Sequence, residues 1–255
     1  QTGSSIYLKE GDKIKIIDLL YGMLLRSGND AAYLLAKSTF NDVDRFVGEM
    51  NNLAKKIGMC HSSFTNPTGL DEENCNYSTS YDMALLMCYA LNNKVFSKVT
   101  STAKHTSKTY NGELLYFVNK HKLVLNDEYV TGGKTGYTKK AKRTLVTSAK
   151  KDNMELIAVT FNCGDDWNVH RKLFEYGFSN YKIKTILKRQ IIEIDEQYYS
   201  VTPYLPKDLK YPVKENEEVK CKIYLLKNPL EKVIGKASII INGKEMYSSE
   251  IYRYY

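Results

Sequence analysis

Residues 130–138, Val-Thr-Gly-Gly-Lys-Thr-Gly-Tyr-Thr, restrict the fold more than any other stretch of the chain. The β-branched pair Val130 and Thr131 favours extended backbone, and the glycines around Lys134 remove side chains that would hold a substrate backbone at a distance. The stretch therefore predicts a strand with a bare face, a central cation and room for an extended ligand alongside. Lys-Thr-Gly alone also fits a basic turn between two strands, so the chemistry needs a partner. One lies upstream, where Ser27, Gly28 and Asn29 follow the apolar run Ile16, Ile17, Leu19, Leu20, Met23, Leu24, Leu25 and precede Asp30, Ala31 and Ala32. That arrangement puts a polar joint between two helices.

Apolar steps of three and four predict a helix over 13–25, and 31–37 predict a second, capped by Asp30. Val43, Phe46, Val47, Met50, Leu53, Ala54 and Ile57 trace one face of a third, core-facing helix that Gly58 ends. Ser80 is placed to cap a fourth from Tyr81, carrying Leu85, Leu86, Tyr89 and Leu91, after which the helical part closes. From Thr106 the pattern turns extended. Asn111-Gly112 predicts a hairpin, Lys134–Gly136 lie on a further strand, 143–149 and 154–161 form a hairpin beside it, and 166–176 return as a helix. Beyond Tyr181, short alternating stretches at 191–194, 219–225 and 237–241, broken by Pro203, Pro206, Pro212 and Pro229, predict a small β domain. The tyrosines Tyr247, Tyr252, Tyr254 and Tyr255 read as a strand edge. The expected fold class is α+β, with helices packed on an antiparallel sheet over 1–181 and a small all-β domain over 182–255.

Ser-x-Asn followed far downstream by Lys-Thr-Gly is the second and third signature of the penicillin-recognising serine acyl-transferases, whose first is Ser-x-x-Lys. The surrounding wording narrows the likeness: Gly3-Ser4-Ser5-Ile6-Tyr7-Leu8, Asp18-Leu19-Leu20-Tyr21-Gly22, Leu25 to Ala32, Asn66-Pro67-Thr68-Gly69-Leu70-Asp71 and Tyr77 to Ala84. The chain resembles the serine D-alanyl-D-alanine carboxypeptidases, the low-molecular-mass penicillin-binding proteins, strongly over 1–181 and weakly beyond. The resemblance implies a penicillin-binding, β-lactamase-like transpeptidase domain. It also implies that Lys134 places a charge in the cleft and holds the hydroxyl of Ser27, which passes a proton towards the leaving amine. Asn29 would donate to a substrate carbonyl, Thr135 and Thr138 would bind the terminal carboxylate, and the strand edge at Gly136 and Tyr137 would pair with the substrate backbone.

The implied substrate is a peptidoglycan stem peptide ending in D-Ala-D-Ala, with β-lactams as acylating analogues, at the wall or the outer face of the bacterial membrane. Gln1 is no initiator and the chain opens inside a family motif. The Ser-x-x-Lys segment is therefore expected to lie upstream, and these residues alone are expected to be inactive. That segment would be an intramolecular or separate-chain partner, and any membrane association would come from a region outside the chain. Ser101 with Lys104 and Ser148 with Lys151 have the spacing, but neither starts a helix. Two departures stand out: Lys142 occupies a position where glycine is common, and the stretch Asp165-Asp166-Trp167-Asn168-x-His170 has no arginine where many members carry one for the carboxylate. That stretch is similar to wording in sporulation-associated members; it equally suits a helix cap with a packed tryptophan. A noncatalytic wall-binding homologue is the alternative. A β-lactamase is disfavoured, because Ser27-Gly28-Asn29 is not Ser-Asp-Asn and no deacylating glutamate motif is evident.

With 255 residues, 43% of them hydrophobic, the chain can bury a real core. Its net charge of +8 comes from scattered lysines without an RNA- or DNA-binding module, which argues for a solvated surface and against nucleic acid. Cys60, Cys75, Cys88, Cys163 and Cys221 show no metal-ligand spacing. Cys60 and Cys75 flank one loop that an oxidising compartment would let them bridge, but the odd total favours buried free thiols. His61, His105, His121 and His170 are far apart in sequence and carry no implied role. No metal or cofactor is expected.

Overall fold

The structure, a computed structural model, describes residues 3–71, 75–194, 199–227 and 231–255. The chain divides into two compact units, 1–175 and 176–255. In the first, α1 (Ile16–Arg26) starts later than its periodicity suggests. Residue 13 lies outside the helix, its carbonyl accepting the N–H of Tyr110 at 2.8 Å. The helix ends in a left-handed Ser27, φ 58°, whose N–H returns to the Gly22 carbonyl. α2 (Asn29–Phe40) begins directly after Gly28 with no side-chain cap. Asp30 does not cap it. Its carboxylate turns back to accept from Ser5 Oγ at 2.6 Å and from the N–H groups of Ile6, Leu8 and Ala31. Burial opposes its charge, but these donors outweigh burial and hold its pKa below the ordinary carboxylate value.

α3 (Val43–Lys56) is capped by Asp42 and closed by Gly58 at φ +87°. Its apolar stripe is only half-buried, with Ala54 the buried member, so the core-facing expectation holds in direction but not in depth. α4 (Ser80–Leu91) is capped by Thr79 rather than Ser80, through Thr79 Oγ1 and the N–H of Asp82. The helical part does not close there, because α5 (Lys94–Ser101) follows, capped by Asn93. β1 (Lys104–Lys108) and β2 (Leu114–Val118) pair antiparallel around Gly112, φ +89°. The buried Asp18 takes His105 Nε2 at 2.7 Å and Ser107 Oγ at 2.9 Å, fastening α1 to β1. After the short α6 (Lys122–Asn126), β3 (Val130–Thr138), β4 (Lys142–Lys151) and β5 (Met154–Phe161) form an antiparallel sheet in that order. β3 is its edge, with Lys134 opposite Val146 and Tyr137 opposite Arg143. α7 (Asp166–Asn180) runs four residues past the expected 176.

The second unit holds β6 (Lys182–Leu187), β7 (Gln190–Ile191), β8 (Pro203–Leu205), β9 (Leu209–Val213), β10 (Val219–Leu225), β11 (Val233–Ile241) and β12 (Lys244–Arg253). β6 pairs with β9; the others form a sheet in the order β10-β11-β12-β8-β7. Leu205, Leu209, Ile234, Ala237, Ile239 and Ile251 are its buried centre. Pro203 and Pro212 lie within strands instead of breaking them, one at a strand start and the other on a two-stranded ribbon. Pro229 lies outside the described residues. The tyrosine-rich β12 is an interior strand, between β11 and β8, rather than an edge. No disulfide joins the cysteines among the described residues, but Cys60 and Cys88 are exposed and the other three only half-buried, so the buried-thiol expectation fails. Cys88 sits on the outer face of α4, where helix periodicity alone did not say which side meets water.

Candidate active site

A cleft of about 990 Å³ in the first unit runs along the β3 edge, and the residues singled out in the sequence meet there. Lys134, half-buried, donates from Nζ to Ser27 Oγ and, at 2.7 Å, to the Thr135 carbonyl. Two segments 107 residues apart thus share one hydrogen bond. The left-handed turn at Ser27 ends α1 without a glycine, so a hydroxyl stands where the helix stops. Asn29 is buried, its N–H donating to the Ser4 carbonyl at 2.8 Å. Thr135, Gly136, Tyr137 and Thr138 line the same cleft. Burial, reinforced by the charge of Lys120, lowers the Lys134 pKa to about 8.

The floor beneath Lys134 explains the double glycine before it. A Cβ on Gly132 would run into the Thr100 side chain, and one on Gly133 into the Val146 carbonyl and the His121 ring. Buried Thr100 holds Gly133 twice: its hydroxyl donates to the carbonyl at 2.8 Å and accepts the N–H at 2.9 Å. Behind the strand, Thr147 Oγ1 lies 2.8 Å from both His121 Nε2 and His170 Nδ1, and Thr160 Oγ1 lies 3.0 Å from His170 Nε2. Histidines distant in sequence therefore converge in space. Burial lowers both to about 4; His170 and Lys134 add to the effect at His121, while Asp166 opposes it at His170. Both imidazoles are neutral at pH 7.

Sequence reasoning also missed Arg143, Lys120 and Trp167, all of which line the cleft. Arg143 donates to buried Asp166 through Nη2, 2.6 Å, and Nε, 3.1 Å, and lies 5.6 Å over the Trp167 ring. Lys120 Nζ donates to Ser4 Oγ at 2.8 Å; burial and Arg26 lower its pKa. The available signal for Arg143 was its place at the start of a strand predicted to lie beside Lys-Thr-Gly.

The Ser-x-x-Lys lookalikes are elsewhere engaged. Ser101 is exposed and donates to the Lys98 carbonyl, and Ser148 is buried against Thr131 Oγ1 at 2.9 Å. A third match, Ser179 with Lys182, spans the end of α7 and start of β6. Asn66 Oδ1 takes the N–H groups of Thr68 and Gly69, shaping the loop that forms the facing wall, and Asp71 Oδ2 takes the N–H of Lys140 at 3.0 Å. Among the described residues, no group of three His, Cys, Asp or Glu side chains could hold a metal ion, and no helix is long and apolar enough to cross a membrane.

The chain is 36% identical over 190 residues to D-alanyl-D-alanine carboxypeptidase DacF of Bacillus subtilis, covering 73% of this chain and 49% of that protein. It is 28% identical over 271 residues to DacA of Haemophilus influenzae, covering 97% and 66%. The chain thus spans about half the length of the first relative and about two thirds of the second. The crystal structure of penicillin-binding protein 5 from Haemophilus influenzae superposes with a TM-score of 0.83 at 28% identity, covering 98% of this chain and 77% of that one. The mixed helix-and-sheet fold is therefore that of the low-molecular-mass penicillin-binding proteins. The model of peptidase family S11, D-alanyl-D-alanine carboxypeptidase, matches residues 1–164, which bear the Ser27–Asn29 joint and the Lys134 strand: the chain belongs to this family.

Proposed function

We propose that the protein is a serine D-alanyl-D-alanine carboxypeptidase that removes the terminal D-alanine of peptidoglycan stem peptides through an acyl-enzyme, on the outer side of the bacterial membrane. The observation that carries this reading is the contact between Lys134 Nζ and Ser27 Oγ beside a glycine-cleared strand edge. An extended D-alanyl peptide pairs its backbone with β3 at Gly136 and Tyr137, while Asn29 donates to a substrate carbonyl and Thr135 and Thr138 take the carboxylate. Lys134 supplies positive charge where the tetrahedral oxyanion develops, and Ser27 relays a proton to the leaving amine. β-Lactams acylate the same site. The attacking serine of this reading comes from a Ser-x-x-Lys pair outside residues 1–255, since none of Ser101, Ser148 and Ser179 lines the cleft.

The test is release of D-alanine from an N-acyl-D-Ala-D-Ala peptide by the full-length protein, together with covalent labelling by a fluorescent penicillin. Labelled, active full-length protein beside an unlabelled 1–255 chain is the expected result. Binding without turnover or labelling by either would instead favour a noncatalytic wall-binding protein. Labelling of the 1–255 chain would return the search for the nucleophile to its own serines.

A further inference from the structure

Thr135 and Thr138 offer the substrate's end only hydroxyls, and a hydroxyl can donate to a carboxylate or accept from an amide, so it distinguishes the two poorly. A fixed cation would distinguish them. Lys134 is already engaged with Ser27 and the Thr135 carbonyl. Arg143 stands directly across the ladder from Tyr137, on the same face of the sheet, and borders the same cleft. Its guanidinium is fixed on two sides, by the two bonds to Asp166, whose side chain is 3% exposed, and by the Trp167 ring. Those bonds engage Nε and one Nη2 hydrogen of a guanidinium that has five, and the side chain, which lines the cleft, remains 41% exposed. An arginine held in this way loses little freedom when it meets a ligand, and its planar donors match a carboxylate. Building on the proposed carboxypeptidase reading, we propose that Arg143 recognises the free C-terminal carboxylate of the substrate, with Asp166 and Trp167 as the residues that position it. The alternative is a staple that only joins β4 to α7, with no bearing on what the cleft binds.

Trp167, the single tryptophan of these 255 residues, borders this corner of the cleft. The test titrates the full-length protein, its attacking serine replaced by alanine so that the acid is bound and not cleaved, with an N-acyl-D-Ala-D-Ala peptide and with its C-terminal amide, by calorimetry, with Arg143 unchanged as the wild type. The wild type is expected to prefer the acid by about tenfold or more, the scale of charge-assisted hydrogen bonds. Arg143→Gln should lose that preference while keeping its affinity for the amide, and Arg143→Lys, with charge but no fork, should restore part of it. The preference should also hold from pH 7 to 9.5, because a guanidinium does not titrate there; one carried by Lys134 would fade as pH rises through about 8. Asp166→Asn should reduce the preference if it folds, and the Arg143 variants decide the matter if it does not. Equal binding of acid and amide by the wild type, or an undiminished preference in Arg143→Gln, would overturn the assignment of Arg143 and leave the carboxypeptidase reading intact. Failure of the wild type to bind either peptide would overturn that reading and this inference with it.

Discussion

Lys134 carries a charge that its surroundings make conditional. Burial and the charge of Lys120 bring its pKa from the usual 10.5 to about 8, so the ammonium is lost at a pH where an exposed lysine keeps it. If the ammonium organises the cleft, acylation by β-lactams should fall as pH rises through about 8. Lys134→Arg, whose charge does not titrate in that range, should keep whatever activity it has up to pH 9.5. Removing the cation altogether, with Lys134→Ala in the full-length protein, should slow acylation by roughly 10² to 10³, the scale of losing one preorganised electrostatic contact. Stopped-flow labelling with a fluorescent penicillin across pH measures both effects. An alkaline limb shared unchanged by Lys134→Arg would assign the titration to another group.

The Lys-Thr-Gly strand keeps its position because neighbouring elements grip the backbone just before the lysine. α5 does so directly through Thr100, while His121, just ahead of α6, and His170 of α7 brace the adjacent β4 by meeting at the Thr147 hydroxyl. This arrangement gives stability a defined pH dependence. His121 and His170 have folded-state pKa values of about 4 against 6.5 unfolded, so below 6.5 the unfolded chain binds protons that the folded chain refuses. Stability should therefore decline as pH falls from about 6.5 towards 4, by up to about 3 kcal/mol for each imidazole. Asp30, with its pKa held below 3.8, makes its own contribution to acid sensitivity only at still lower pH. Urea unfolding at pH 7, 5.5 and 4.5 tests this, and a flat stability across that range would sink it. The histidines were silent in the sequence because their convergence depends on the β4 register and on the packing of α7, neither of which is local. β3, the β4–β5 hairpin and Gly58 were legible because alternation, turn residues and a positive-φ stop are local signals. The same gap hid the Arg143–Asp166 pair, whose partners lie 23 residues apart. α5 differs from these: its Asn93 cap and its apolar Val95, Phe96 and Val99 are a local signal, lying just past the expected end of the helical part at Leu91.

At the scale of the whole molecule, the candidate chemistry lies in one unit and the second unit has a core of its own. Ile239 and Ile251 are fully buried on adjacent strands, and Leu205 and Ile234 complete the same cluster with no exposed surface. A unit with its own apolar centre should fold without the rest of the chain, so residues 182–255 expressed alone should give a cooperative thermal transition. A domain of this size has little stability in reserve, on the order of 3–5 kcal/mol, and truncating one large buried aliphatic side chain costs about 2–5 kcal/mol. Ile239→Ala should therefore unfold most of the isolated unit at 25 °C, whereas a substitution at exposed Tyr255 should leave it folded. In the full-length protein the same Ile239→Ala change should leave penicillin labelling within about twofold, because none of the residues that line the cleft lies in the second unit. Circular dichroism of the fragment and labelling of the intact protein separate the two effects. A fragment with no cooperative transition, or labelling that collapses together with the second unit, would mean that the two cores are a single stability element.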